Sequence, residues 1–259
     1  MAGVHTYALA PPTPKKRLVM ENLAGFDRCS AFINCQLRPA DLPAAQASVV
    51  PRLPAVTISR QAGCGAQVVA DNLAARLQAR SPKSSPPWTV FDRNLMEKVL
   101  EDHHLPARIA KFLPEDRMTL VQDSMEELFG LRPGSWAVVH QTAETILQLA
   151  ELGGVILIGR GGNVITARLS NVFHVRLVAP LEKRIEHAHE FYNMTKKAAR
   201  AFCQREDLGR QRYLKKYFDA DVNDPLLQHL TINTGLVSYD EAACIIADAV
   251  ANRFPHALR

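Results

Sequence analysis

The chain has 259 residues, of which 47% are hydrophobic and 22% charged. That composition is ordinary for a folded protein and excludes a mainly disordered chain, a collagen or a coiled-coil rod, and no run of about 18 apolar residues marks a transmembrane helix. The formal charge of +5 suits a protein that handles anions, but it is too diffuse to argue for specific nucleic-acid binding.

The five cysteines, Cys29, Cys35, Cys64, Cys203 and Cys244, are odd in number and form no Cys-x-x-Cys pair. They read as reduced thiols of a cytoplasmic protein, with no disulfide framework and no zinc site expected. The first residues carry prolines and the cluster Lys15-Lys16-Arg17 where a secretory signal needs an apolar core, so no such signal is expected.

Residues 1–54 hold seven of the sixteen prolines and sustain no apolar period, so a loosely ordered extension is expected there. From Ala55 short apolar runs alternate with helical stretches. Ala55-Val56-Thr57-Ile58-Ser59 reads as a buried strand that ends in a glycine-containing turn. Val69, Leu73 and Leu77, four apart, give the next helix its buried face. Ser81 to Pro87 is a breaker-rich loop, and Trp88 to Phe91 a second strand closed by Asp92. Residues 94–150 read as helix with breaks at Pro106, Pro114 and Arg132-Pro133-Gly134, and Gly153-Gly154 stops the last of these helices. Val155 to Ile158 is a third strand, apolar throughout as a strand covered on both faces is. Val172 to Val178 is a fourth. Two or three charged helices follow between Leu181 and Phe218, then a short strand at Leu230 to Asn233. Ser238-x-x-Glu241 is a capping box that opens a last helix to about Arg253.

Strands alternating with helices predict a parallel sheet with helices on both faces, and ligands of such sheets sit beyond the carboxyl ends of the strands. Three turns fall there, at 59–67, 92–98 and 159–163, and they are expected to converge on one cleft. In the first, small residues at 62–66 let the backbone curl so that amides at the helix start can hold phosphate oxygens. The strict phosphate-loop pattern is broken: Gly65 fits its second glycine, but Arg60 stands at the first glycine, Ala66 at the lysine and Gln67 at the Ser/Thr position. A phosphate cradle and a tight connection without ligand are both open readings. In the second turn Asp92 either caps a helix or, with Arg93 and Lys98, faces a phosphate-bearing acceptor. In the third, Arg160 in a glycine-flanked loop has little structural reason to be there, and its fork suits phosphate or a base edge. Between Leu181 and Lys216 most of the many basic residues are expected on solvated faces, with a subset closing over a polyphosphate. His103-His104 and His187-x-His189 lack metal spacing and read as surface residues.

These elements together resemble the cytidylate kinase-like family of P-loop nucleoside monophosphate kinases. Ile58-Ser59-Arg60-Gln61, with Gly63-Cys64-Gly65-Ala66, matches its opening motif. Phe91-Asp92-Arg93, Ile156-Leu157-Ile158-Gly159-Arg160 and Ala179-Pro180 through Arg184-Ile185-Glu186 match the next three. Asp207-x-x-Arg210-x-x-Tyr213 matches a later one, and Ile232-Asn233-Thr234 with the helix from Ser238 its close. The resemblance spans about 55 to 254. It implies a P-loop kinase-type three-layer α/β sandwich with a central five-stranded parallel sheet, a helical substrate-binding insert at 93–150 and a lid at 181–220. It implies transfer of the ATP γ-phosphoryl, with magnesium, to CMP or dCMP, so that the partners are small-molecule nucleotides. Carried over, Arg60, Gly63, Cys64, Gly65, Ala66 and Gln67 cradle the donor. Asp92, Arg93, Lys98, Arg160 and Asn163 hold the acceptor, and Arg60, Arg184, Arg205, Arg210 and Arg212 neutralise the transferring group. No metal ligand among the side chains is implied. Because the loop lysine and the Ser/Thr hydroxyl are absent, a non-catalytic nucleotide sensor of the same fold stands as the alternative, and an interaction protein that borrows the fold as a third reading. The oligomeric state is not readable.

Overall fold

The computed structural model describes residues 53–92, 121, 124, 125, 128 and 137–258. The expected N-terminal extension and most of the expected insert, including its Arg93 and Lys98, lie outside the described residues. Five strands form one sheet: β1 (Ala55–Arg60), β2 (Thr89–Phe91), β3 (Val155–Ile158), β4 (Val172–Val178) and β5 (Leu230–Asn233). Every pair is parallel, and the order across the sheet is β2-β3-β1-β4-β5. The register sets Ile58 beside both Ile158 and Val175, so β1 and β3 start level and β1 runs on through Ser59 and Arg60 past the end of β3.

The strand period of two sorts the core into two layers. Ala55, Val155, Leu157 and Val172 face one side, where they meet Ile146, Leu147, Leu149 and Ala150 of helix α2 (Ala137–Leu152). Val56, Ile58, Ile156, Val175 and Leu177 face the other. There they pack on Val69, Leu73 and Leu77 of α1 (Ala66–Arg80) and on Ile246, Ala247 and Val250 of α6 (Tyr239–Arg253). This is the three-layer α/β sandwich that the alternation of elements implies.

Boundaries follow local chemistry. Gly153 and Gly154, at φ +74° and +67°, end α2. Both bonds of the Ser238–Glu241 capping box are made at the start of α6. The second strand begins at Thr89, one residue later than the apolar run suggests. The charged stretch after β4 folds as two helices, α4 (Leu181–Tyr192) and α5 (Lys196–Phe218), with the one-turn α3 (Gly162–Ile165) before β4. Asn193 in left-handed conformation closes α4, and the Thr195 hydroxyl accepts from the Ala198 amide to open α5. Cys64 and Cys203 are buried free thiols, and Cys244 is half-buried. Among the described residues no helix is long and apolar enough to cross a membrane.

Candidate functional site

The first turn is shaped from both ends. The Gln61 amide donates to the Leu177 carbonyl (3.1 Å), and the Gln61 side-chain oxygen accepts from the Ala179 amide (3.0 Å), tying the loop to the end of β4. Gly63 and Gly65 stand at φ +83° and +71°. A Cβ on Gly63 would meet the Arg184 carbonyl and one on Gly65 the ring of Tyr239, so both positions need glycine on two counts. From Gly63 to Val68 no backbone amide donates to a described residue, and the first turn of α1 has neither a side-chain cap nor an acid. A helix start left in that condition is a positive, anion-accepting end.

The third turn curls as tightly. Gly159, Arg160 and Gly161 are all left-handed, at φ +81°, +54° and +74°. For Arg160 that conformation costs on the order of 1 kcal/mol. It is held by the Gly159 amide donating to the Ile58 carbonyl (3.0 Å), which ties the turn to β1. A Cβ on Gly159 would fall on the Arg60 guanidinium, so the two turns lie in contact.

Helix α5 closes over both. Asp207 accepts from the Ala62 amide (2.7 Å), from Arg184 (2.6 Å) and from Arg210 (3.2 Å), latching the helix to the first turn. Two hollows open between α5 and the strand ends. One, of about 360 Å³, is lined by Arg60, Arg160, Asn163, Arg205, Arg210 and Tyr213 among others. The second, of about 330 Å³, is lined by the whole loop from Arg60 to Val68, by Asp92, and by His187, Phe191, Tyr192 and Phe202. Arg60, Ile158, Glu206 and Arg210 belong to both.

The electrostatics of the shared wall are lopsided. Burial, then the neighbouring Arg210, pull the Arg60 pKa down to about 9, and Arg160 adds to the effect against the opposing Asp92 and Tyr192. No described residue accepts a hydrogen bond from the Arg60 guanidinium. Burial pushes the Cys64 thiol up to about 11, so it is protonated and inert at neutral pH.

The structure therefore brings Arg60, Gly63 to Gln67, Asp92, Arg160, Asn163, Arg205 and Arg210 to one place. It leaves two other candidates outside. Arg184 is 7% exposed and donates to the carbonyls of Ala179 and Ala62 and to Asp207; it props the loop from behind. Arg212 is exposed on α5 and lines neither hollow. His187, read from sequence as a surface residue, is half-buried instead, stacked on Phe191 (5.4 Å) and edge-on to Tyr239 (5.3 Å). Glu206 and the aromatic wall were missed, and Tyr213 entered only as part of a matched motif. The signal was present: Glu206, Arg210 and Tyr213 are spaced four and three apart and share one face of α5.

Comparison with known proteins bears on the family and the fold. The family model described as cytidylate kinase-like family matches residues 55–236. A crystal structure of an uncharacterized protein from Eubacterium ventriosum superposes with a TM-score of 0.59 at 17% identity, covering 78% of this chain and 99% of that one, a likeness of fold. A protein named uronate isomerase from Corynebacterium glutamicum is 26% identical over 118 residues, 46% of this chain. The chain spans only 23% of that relative's length.

Proposed function

The chain belongs to the cytidylate kinase-like family, and from that premise we propose that the paired hollows bind ATP and a nucleoside monophosphate, CMP or dCMP, and pass the γ-phosphoryl between them. The observation that carries the reading is the meeting of Arg60, Arg160 and Arg210 with an unoccupied run of loop amides. A triphosphate brings negative charge to a wall where Arg60, Arg160, Arg205 and Arg210 outnumber Asp92 and Glu206, and amides 63–68 suit its oxygens.

In this proposal the loop from Gly63 to Gln67 holds the donor phosphates and Arg160 and Asn163 hold the acceptor, while Asp92, expected with the acceptor, lines the hollow of the loop instead. Arg60, Arg210 and Arg205 neutralise the group in transit. Arg184 serves by fixing the loop and Asp207. The bond from the γ-phosphorus to the ADP oxygen breaks as one forms to an acceptor phosphate oxygen. That oxygen is already ionised, so no general base is required, and positioning with charge neutralisation supplies the rate. Magnesium in such sites needs one or two carboxylates beside the substrate phosphates, and Asp92 and Glu206 line the donor hollow. Those two carboxylates would hold it, and its chemistry would be to neutralise phosphate charge.

One observation favours the sensor alternative. Ala66 and Gln67 supply neither lysine nor hydroxyl, and the Gln67 amide is turned to Asp71 (3.3 Å). ADP release with ATP, magnesium and a panel of nucleoside monophosphates, run beside calorimetric titrations, separates the two. Turnover highest with CMP or dCMP is expected. Nucleotide binding without ADP release identifies the sensor, and no binding removes both.

A further inference from the structure

Arg176 lies in β4 and is 5% exposed. Its guanidinium donates to Ser59 Oγ (2.9 Å) and to Asn223 Oδ1 (2.9 Å). Both acceptors are neutral, and among the described residues no carboxylate lies within ion-pair distance of Arg176. A buried cation hydrogen-bonded only to neutral acceptors is costly; burial lowers its pKa, and the more distant Asp207 and Asp221 oppose that shift only in part.

Beside it opens a third hollow, of about 350 Å³, between the start of α4, the middle of α5 and residues Val222 and Asn223. Arg60, Gln61, Arg210 and the Asp207–Ala62 bond separate it from the donor hollow; neither the loop glycines nor Asp92 line it. Four guanidiniums, those of Arg60, Arg176, Arg184 and Arg210, face it against the single carboxylate of Asp207. That carboxylate is already engaged by Arg184 and Arg210. The side-chain amides of Gln204, Gln211 and Asn223 complete its polar lining.

We propose that this hollow is a second anion site, which takes a small phosphate-type oxyanion or the phosphate of a small ester, held by Arg176 together with Arg60 and Arg210. Such an occupant gives Arg176 its missing counter-charge through charge-assisted hydrogen bonds, and the amides accommodate hydroxyls of an ester. The volume exceeds what one phosphate fills and lies in the range of small-ligand pockets. The proposal does not rest on the kinase reading.

The test is calorimetric titration of the full chain, free of nucleotide, with inorganic phosphate and, in a second arm, glycerol phosphate. Three variants are compared with the parent: Arg176→Met, Gln211→Glu and Arg160→Ala. Gln211 is exposed on α5, so Gln211→Glu folds even if the buried change does not, and it sets a negative charge at the rim. Phosphate affinity is expected to fall about tenfold or more in Arg176→Met and Gln211→Glu and to survive in Arg160→Ala, which alters only the nucleotide cleft. Tighter binding of the ester identifies a phosphorylated small molecule as occupant, and equal or weaker binding the inorganic anion. No phosphate binding by the parent, or binding lost in Arg160→Ala and untouched in Gln211→Glu, overturns the proposal. Phosphate binding of the expected pattern in a chain that binds no nucleotide removes the kinase reading alone.

Discussion

Replacing Arg60 with methionine is expected to make the ligand-free protein more stable and its nucleotide binding worse. Methionine keeps an apolar stem of similar reach and removes the charge. In the parent that charge is desolvated, flanked by Arg210 and Arg160, and pulled from its usual range to about 9. Such a displacement corresponds to roughly 4–5 kcal/mol of lost solvation and repulsion. Residual water in the cleft and side-chain relaxation recover part of it, which leaves a gain of ~1–3 kcal/mol, in line with other replacements of buried charge by apolar groups. For a domain of this size that raises the melting temperature by roughly 3–10 °C. Loss of a charge-assisted contact to phosphate, worth about 1.5–3 kcal/mol, weakens ATP binding about 10- to 100-fold. Melting curves of both proteins, with and without ATP and magnesium, read both effects at once. An Arg60→Met variant that melts at or below the parent without ligand, yet is protected equally by ATP, refutes the reasoning on both counts.

Other perturbations probe the surrounding structure. His174 is buried in β4, 2.8 Å from the Thr57 hydroxyl and beside His229, and burial first, then His229, lower its pKa to about 4. A histidine folded in the neutral form stabilises fully above its unfolded pKa and loses that contribution as pH falls. Stability is therefore expected to drop by about 3 kcal/mol between pH 6.5 and 4, with a flatter profile in His174→Gln; denaturant melts across that window check it. Asp207→Asn leaves the buried Arg184 without its carboxylate and is expected to cost ~2–4 kcal/mol. Asp240→Asn, which breaks the exposed Arg76–Asp240 pair, costs under about 1 kcal/mol, and urea titrations of the two variants give the contrast. Gly209 lies within α5, with open space around the place of its missing Cβ, and lines the hollow that holds Arg160 and Asn163. Gly209→Ala is expected to stabilise the helix by about 0.5–1 kcal/mol while raising the KM for the acceptor, seen by melting and by ADP release.

The sheet was readable because its signals are local. An unbroken apolar run such as Val155 to Ile158 has few other fates, and Ser238 with Glu241 marks a helix start wherever it occurs. The meeting of the first and third turns with Asp92 was readable because parallel strands deliver their carboxyl ends to one edge. Which arginines face the cleft was not readable in the same way. Arg184 and Arg210 sit in equally basic stretches. Both bond Asp207, yet Arg184 also donates to Ala62 and Ala179 and stays out of the two strand-end hollows, while Arg210 lines both, and only the packing of α4 against α5 decides between them. Arg176 escaped notice for the opposite reason: one charged residue inside an apolar strand reads as noise until its neighbours are known. The Tyr239 ring against Gly65 joins residues far apart in the chain, which no motif spacing records.

The central claim is that the strand-end wall of guanidiniums and loop amides receives a triphosphate. Calorimetric titration of ATP with magnesium into the parent, Arg160→Ala and Arg60→Met proteins tests it most directly. Saturable one-to-one binding by the parent is expected, weakened about tenfold or more in each variant. A parent that takes up no ATP, or variants that bind it as tightly as the parent, would contradict it.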